Sequence, residues 1–204
     1  HRFSVEQANA LLDEAGWRRG AGGLREKGGR PLRFVFQTST NPLRQKVQTV
    51  YKQACAQAGI DLELKAVQPA VFFGNDIGNP DTLAKFWADL QLFAFTMGEP
   101  DPRRFMDQYA SWEVASRANQ WQGRNYLRWR NADYDAAYRA ADGELDAVKR
   151  AALFIRMNDL VCGDHHVLPL VTRPKVAAAA RGLQLHLSGW SEDLAVLGHA
   201  WREA

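Results

Sequence analysis

The chain has 204 residues, of which 46% are hydrophobic, and 26 basic residues stand against 23 acidic ones. This composition is that of a globular protein long enough to bury a core without disulfides or metal ions. The net charge of +3 is spread along the chain, so it gives no support to nucleic-acid binding. No apolar run approaches the ~20 residues that cross a bilayer. The chain begins with His1 rather than Met, and we expect a mature or excised piece of a longer protein.

The first predicted element is an amphipathic helix of about three turns. Ser4 followed by Gln7 fits a capping box, in which the side chains of the first turn satisfy backbone donors that have no partner inside the helix. Apolar residues then recur at helical spacing. Gly16 stands where a helix ends on a left-handed residue.

A hairpin and a βαβ unit follow. The pair Gly28-Gly29 predicts a tight turn that leads into a strand over 30–37. Asn41-Pro42 opens the next helix, because proline fits the first turn of a helix, and Gly59 ends it. A strand over 62–66 completes the unit, and its two strands should be parallel. The helix is predicted to bury Val47, Val50, Tyr51, Ala54 and Ala58.

The second half of the chain alternates apolar segments with polar loops. The run 90–97 predicts a buried strand, and the turn signals after it predict a short helix capped by Asp101, with Pro102 in its first position. Further on, two helices and two strands are predicted over 132–141, 146–162, 167–171 and 175–180. The longer helix should bury Ala152, Ile155, Met157, Leu160 and Val161. Alternation of helices and strands predicts the α/β class, with a mixed sheet flanked by helices.

The two cysteines, Cys55 and Cys162, are too few for a disulfide framework and lack the spacing of a zinc site. A bridge between them stays open, but we favour two small buried hydrophobic side chains. His165-His166 lie near Cys162 and Asp164, yet adjacent side chains on an extended segment point to opposite faces and do not readily clamp one ion. We therefore predict a polar turn there, with no metal site and no cofactor.

The sequence shows no reactive constellation. It contains no nucleophile elbow, zinc-protease motif, phosphate loop or dinucleotide fingerprint, so we predict no catalytic residues. Glu99 and Asp101 are two carboxylates on one loop, which suits either a turn with a helix cap or the binding of a ligand's ammonium group. Trp121, Arg124 and Asn125 place an aromatic ring, a guanidinium and an amide in a predicted loop, a combination typical of small-solute sites.

Several segments, in this order and spacing, resemble the peptide/dipeptide/nickel-binding class of extracellular solute-binding proteins. The resemblance covers nearly all of this chain, but only about the last third of a full-length member. Its main motifs are Gly78-Asn79-Pro80-Asp81, Thr96-Met97-Gly98-Glu99-Pro100-Asp101-Pro102, Arg128-Trp129-Arg130-Asn131, Leu168-Pro169-Leu170 and Ser188-Gly189-Trp190. The segments 8–17, 32–42, 58–60, 88–91, 134–135 and 158–161 add to them.

The resemblance implies a periplasmic-binding-protein-like lobe. Residues 1–170 would be the C-terminal α/β lobe of a two-lobe protein, and 171–204 a hinge return and tail that packs on the missing N-terminal lobe. The implied function is the substrate-binding component of an ABC importer, which closes on a peptide or similar small solute and delivers it to an inner-membrane permease. We expect a monomer in the periplasm or outside the cell, associated with the cell envelope. The alternatives are a ligand-sensing module of a regulatory protein and an enzyme such as an amidase or peptidase.

The resemblance also implies a set of ligand-binding residues. In peptide-binding members, an Asp in the loop after the strand that matches 90–97 pairs with the peptide's α-amino group. Gly98 stands at that position here with Glu99 beside it, so either Glu99 substitutes or the ligand lacks a free amine. Phe95 matches an aromatic residue before that Asp, and Trp121 and Asn125 match a second loop that faces the cleft. The predicted ligand-binding set is Phe95, Thr96, Gly98, Glu99, Asp101, Trp121 and Asn125.

Overall fold

The computed structural model describes residues 2–172, 174, 176, 178–184 and 200–202. The chain divides into two compact units. The first, here called the sheet unit, comprises His1–Ala94 and Ser116–Trp121. The second, the helical unit, comprises Phe95–Ala115 and Gln122–Ala204. The boundary expected at residue 170 stays a prediction.

The sheet unit begins as its local signals predict. Helix α1 (Val5–Glu14) is capped by Ser4, whose Oγ accepts the backbone N–H of Gln7 at 3.0 Å. Gly28 and Gly29 both have positive φ, 58° and 74°, as a tight hairpin turn requires. The strands around them form a small antiparallel sheet of β1 (Arg18–Arg19), β2 (Arg25–Lys27) and β3 (Arg30–Pro31).

A second sheet contains the predicted βαβ unit. Its elements are β4 (Arg33–Ser39), α2 (Pro42–Gln57), β5 (Asp61–Val67), α3 (Pro69–Phe72) and β6 (Leu90–Leu92). The strand order is β5-β4-β6, and both pairings are parallel, so the predicted parallel arrangement is confirmed. The predicted strand over 90–97 is present only as the three residues of β6. They are half-buried, because β6 is an outer strand that pairs with three residues of β4, and 93–97 leave the sheet.

The predicted buried face of α2 is wrong at one position. Ala58 is buried and Val47, Tyr51 and Ala54 are half-buried, as predicted. Val50 is 63% exposed, whereas Gln48 is buried. The Nε2 of Gln48 donates to the carbonyl oxygen of Phe36 in β4 at 2.6 Å. A side-chain amide can be buried when it forms a hydrogen bond with a backbone carbonyl oxygen. The spacing of apolar residues in α2 contains no information about that partner. The face that packs on the sheet therefore includes a polar residue, and it turns Val50 to solvent.

Arg25 ties three segments of the sheet unit together from inside. Its side chain is buried. It donates to the carbonyl oxygens of Ala58 at 2.8 Å and Trp17 at 2.6 Å, and to side-chain oxygens of Asp13 at 2.6 Å and Asn9 at 2.8 Å. The Arg25 guanidinium thus links the hairpin to α1 and to the end of α2.

Lys85 organises the loop between α3 and β6. Its side chain is buried, and Nζ donates to the carbonyl oxygens of Asn79 at 2.6 Å, Asp76 at 3.5 Å and Ile77. Three backbone oxygens therefore converge on one ammonium group, which fixes the course of this loop.

The helical unit contains α4 (Arg103–Met106), α5 (Ala132–Gly143) and α6 (Ala147–Gly163), together with short 3₁₀ turns at Asp107–Tyr109 and Ser111–Glu113. The helices predicted over 132–141 and 146–162 are confirmed as α5 and α6. Their facing sides enclose an apolar and aromatic core, which consists of Met106, Trp129, Tyr134, Ala137, Tyr138, Ala141, Phe154, Met157 and Val161. Two members of the predicted face of α6 are wrong, since Ile155 is 62% exposed and Ala152 is exposed. Phe154, one position earlier, fills the core in their place.

The C-terminal segment departs furthest from prediction. Residues 167–171 form no strand, because no neighbouring strand lies beside them in the described part of the chain. The strand predicted over 175–180 falls partly outside the described residues, and 176 and 178–180 carry none. Short strands β7 (Leu183–Gln184) and β8 (Trp201–Arg202) pair antiparallel instead. The motif at 188–190 lies outside the described residues. Cys55 and Cys162 are both free and half-buried, and the chain is α/β, as predicted.

Candidate functional site

The parallel sheet of the sheet unit has a polar carboxyl edge. Ligands of open α/β sheets bind outside the carboxyl ends of the strands. The central strand β4 ends in Gln37, Thr38 and Ser39, all of them buried. Gln37 Nε2 donates to the carbonyl oxygen of Asp81 at 3.0 Å, and Thr38 Oγ1 donates to that of Leu92 at 2.6 Å. The sequence analysis missed this edge, although three consecutive polar residues at the end of a central strand are a readable signal.

Trp121, a predicted ligand-binding residue, belongs to the sheet unit. Its backbone N–H donates to the carbonyl oxygen of Ser116 at 2.8 Å, and its ring meets that of Trp87 edge-on, with centroids 5.6 Å apart. Gln120 and Trp121 both have positive φ, 54° and 64°, and so does Phe86 beside Trp87, at 40°. Such backbone costs about 1–3 kcal/mol per residue and clusters at functional sites. Trp87, which is 65% exposed, was not predicted.

Four predicted residues lie on an open loop of the helical unit. Phe95 is 42% exposed and stacks on Tyr126, with ring centroids 6.4 Å apart and an interplanar angle of 18°. Thr96, Gly98 and Glu99 are exposed. Burial raises the pKa of the Tyr126 phenol, which favours its neutral form. The loop therefore offers an aromatic face, backbone groups and one carboxylate.

Asp101 serves the helix that follows. Its Oδ1 accepts the backbone N–H of Arg103 at 2.9 Å, and its carboxylate pairs with Arg150 of α6 at 3.0 Å. The Arg103 N–H, and then the Arg150 guanidinium, hold the pKa of Asp101 below its usual range. The predicted cap is shifted by one position, since α4 begins at Arg103 and Pro102 precedes it. The Asp101 carboxylate is therefore held by Arg103 and Arg150 and is not available to a ligand in the way that was predicted.

Asn125 lies inside the protein. It has no exposed surface, and Nδ2 donates to the carbonyl oxygens of Ala110 at 3.0 Å and Trp129 at 2.9 Å. Gly123 shows how closely this loop packs, because a Cβ there would stand 2.2 Å from the carbonyl oxygen of Glu113. The amide of Asn125 therefore holds the loop in place beneath Tyr126, its neighbour in the chain.

The described residues offer little for other chemistries. Within them, no three His, Cys, Asp or Glu side chains are arranged to hold a metal ion. His166 Nδ1 lies 3.3 Å from a carboxylate oxygen of Asp164, which also accepts the indole N–H of Trp129 at 2.5 Å. Among the same residues, no helix combines the length and the apolar character needed to span a membrane.

Comparison with known proteins gives a family match. The model of the family described as bacterial extracellular solute-binding proteins, family 5 middle, matches residues 1–116. The oligopeptide-binding protein OppA of Mycobacterium tuberculosis is 30% identical over 178 residues, which are 86% of this chain and 27% of OppA. OppA of Mycobacterium bovis shows the same values. The chain thus spans about a quarter of the length of the curated relatives it matches.

Solved structures share the fold. The oligopeptide-binding protein of Thermus thermophilus, in complex with a pentapeptide, has a TM-score of 0.71 and 25% identity, and the match covers 83% of this chain and 29% of that one. NikZ of Campylobacter jejuni, in complex with Ni(L-His), has a TM-score of 0.64 and 19% identity, over 78% of this chain and 30% of NikZ.

Proposed function

This chain belongs to family 5 of the bacterial extracellular solute-binding proteins, and from that membership we propose that it forms part of the substrate-binding component of an ABC importer. The family match over residues 1–116 carries the proposal. The 30% identity to an oligopeptide-binding protein supports a peptide or similar small solute. Members of this family are binding proteins, which agrees with the prediction of no catalytic residues.

We further propose that the chain is one lobe of a two-lobe receptor. The chain covers only 27% of OppA, which leaves enough of the relative's length for a second lobe. Residues 1–170 would form the C-terminal lobe, and 171–204 would return to the other lobe. Closure of the lobes on a solute would create the surface that docks on the inner-membrane permease. The receptor would act as a monomer in the periplasm or outside the cell, associated with the cell envelope.

The loop after Ala94 is the proposed solute contact in the helical unit. Phe95 offers a flat apolar face, and Thr96 and Gly98 offer exposed backbone. Glu99 would bind a solute's ammonium group, since an exposed carboxylate can form a charge-assisted hydrogen bond with it. Asp101 would act through this loop, which it anchors, and Asn125 through the separate loop that carries Tyr126. Trp121 remains a predicted contact in the sheet unit.

The test is native mass spectrometry of the natural protein that carries this chain, purified without refolding. We expect a co-purified adduct of peptide size that denaturation releases. The same protein should bind a mixture of short peptides when titrated by calorimetry. No adduct together with no heat of binding at millimolar peptide would overturn the proposal.

Glu99 gives a sharper test of the site. Glu99→Gln should weaken the binding of free-amine peptides by about tenfold, because a charged hydrogen bond is replaced by a neutral one. N-acetylated peptides of the same sequence should bind wild type and variant alike. Equal effects on both peptide forms would show that Glu99 does not bind the amine.

A further inference from the structure

Strand β5 has an open outer edge. Among the described residues, it has a neighbouring strand only on the side of β4, with which it pairs over its whole length. The N–H of Asp61 donates to the carbonyl oxygen of Leu32 at 3.0 Å, so Asp61 bonds toward β4. Alternate residues of a strand bond to the same neighbour. The backbone groups that point away from β4 therefore belong to Leu62, Leu64 and Ala66.

The outer edge of β5 is complementary to the same edge of a second copy of the chain. An antiparallel pairing of the two strands, centred on Leu64, would place Glu63 opposite Lys65 of the second copy. Opposite charges at facing positions stabilise paired strands. The Lys65 ammonium lies 2.6 Å from Asp81 and its side chain is 40% exposed, so a second carboxylate can reach it. A seven-residue exposed edge of this kind is a template for edge-to-edge association.

Lys52 of α2 reaches this edge. Its Nζ donates to the carbonyl oxygen of Leu62 at 2.7 Å and lies 3.9 Å from a carboxylate oxygen of Asp61. In the antiparallel pairing, that carbonyl oxygen of Leu62 would accept the N–H of Ala66 of the second copy. The ammonium group takes the place of this N–H. Two-fold symmetry would bring the other Lys52 to the opposite end of the pairing, so both ends are affected.

We propose that Lys52 keeps the outer edge of β5 from pairing with the same edge of a second copy. Pairing would replace a charged hydrogen bond at Leu62 with a neutral one, and it would remove water from the ammonium group. Lysine at the edge of a sheet disfavours association for this reason. This role of Lys52 is independent of the transported solute, and it accounts for the monomer that we expect.

Sedimentation velocity over a range of concentrations tests this role in the natural protein that carries this chain. Lys52→Met removes the ammonium group and keeps a long side chain that favours a helix. This variant should self-associate about 10-fold more tightly than wild type, the effect of one charged hydrogen bond. Lys46→Met is the matched control, because Lys46 is exposed on the same helix, and it should sediment like wild type. Circular dichroism confirms that each variant is folded.

A second substitution identifies the surface through which the copies associate. Ala66→Pro removes an N–H that points away from β4, so the bonds between β4 and β5 are kept. The combined variant Lys52→Met, Ala66→Pro should return to the sedimentation of wild type. Association that persists in the combined variant would show that another surface is responsible, and it would overturn the role of Lys52.

Two other outcomes also contradict the proposed role. If Lys52→Met sediments like wild type at every concentration, Lys52 does not protect the edge. If Lys46→Met associates as strongly as Lys52→Met, the loss of charge rather than the bond to Leu62 is responsible. Where Lys52→Met does not fold, Lys52→Ala replaces it, since alanine has the highest helix propensity. Unchanged sedimentation of that variant has the same meaning, and none of these outcomes bears on peptide binding.

Discussion

The two units differ in how many polar side chains they bury. Among the described residues, the helical unit buries two, Gln108 and Asn125, whereas the sheet unit buries seven polar or charged side chains: Arg25, Gln37, Thr38, Ser39, Gln48, Thr82 and Lys85. The helical unit is centred on one apolar and aromatic cluster, in which Tyr134 and Met157 have no exposed surface. Buried polar groups depend on having the right partner at the right distance, whereas apolar groups depend on filled volume. The two units should therefore respond differently to substitution.

The largest effect is expected in the helical unit, at Tyr134. Its ring packs edge-on against Trp129 with centroids 5.2 Å apart, and its hydroxyl donates to the carbonyl oxygen of Met106 at 2.5 Å. Tyr134→Ala should lower the free energy of unfolding by about 3–5 kcal/mol, because it opens a cavity. Tyr134→Phe, which removes only the hydroxyl, should cost about 1 kcal/mol. Urea denaturation measures both, and equal losses would show that the bond rather than the volume supports this core.

Arg25 is the counterpart in the sheet unit. Arg25→Met preserves much of the volume but removes the guanidinium from the carbonyl oxygens of Ala58 and Trp17 and from the carboxylate of Asp13. We expect a loss of about 2–4 kcal/mol in the free energy of unfolding. Arg18→Met is the matched control. Arg18 is exposed and reaches Asp13 at 3.6 Å, so its loss should stay below about 0.5 kcal/mol.

An unchanged free energy of unfolding in Arg25→Met would contradict this difference between the two units. The sheet unit would then tolerate an apolar interior, and its buried polar groups would not carry its stability.

Gln48 tests the same idea inside a helix. Gln48→Met should lower the free energy of unfolding by about 1 kcal/mol, because the carbonyl oxygen of Phe36 loses a buried partner. Gln45→Met, on the exposed side of α2, should change it by less than about 0.5 kcal/mol. If the two variants behave alike, the strand carbonyl is satisfied without Gln48.

The smallest effect is a pH dependence at Asp13. The hydrogen bond from Arg25, and then the charges of Arg25 and its neighbours, hold the pKa of Asp13 below its ordinary 3.8. A carboxylate with a depressed pKa adds stability above its unfolded value, and that stability is lost as the pH falls through the folded value. Wild type should therefore lose more stability between pH 5 and pH 3 than Asp13→Asn. Urea midpoints at the two pH values measure this loss. Equal losses in wild type and Asp13→Asn would show that Asp13 does not contribute to the pH dependence.

The sequence predicts best where a local signal decides the structure. Ser4 and Asn41 cap their helices as expected, and Asn41 Oδ1 accepts the N–H of Arg44 at 3.1 Å. Gly28-Gly29 forms the predicted turn. The two long helices of the helical unit are present close to their predicted bounds, although the buried face of α6 includes Phe154 in place of Ala152 and Ile155. The family resemblance likewise rests on local motifs, and the family match over 1–116 confirms it.

The rest depends on partners distant in sequence. Gln48 is buried because of a strand carbonyl twelve residues away, and no periodicity in α2 indicates it. Trp121 was predicted, but its neighbour Trp87 was not, because their contact joins two loops that are far apart along the chain. Asn125 was predicted to bind the ligand through its amide. The side chain is instead buried, in a loop that packs closely at Gly123. Residues 167–171 have strand-like composition but no strand beside them.

The ammonium group of Lys85 is bound by backbone carbonyl oxygens, which are also ligands that Ca²⁺ takes in proteins. Three carbonyl oxygens of the loop at 76–79 already converge on it, and this charge is covalently attached to the chain. The order of that loop should therefore be indifferent to calcium and to chelators in the surrounding medium. In the proposed receptor, this loop would keep one conformation as the ion concentrations of the surrounding medium change.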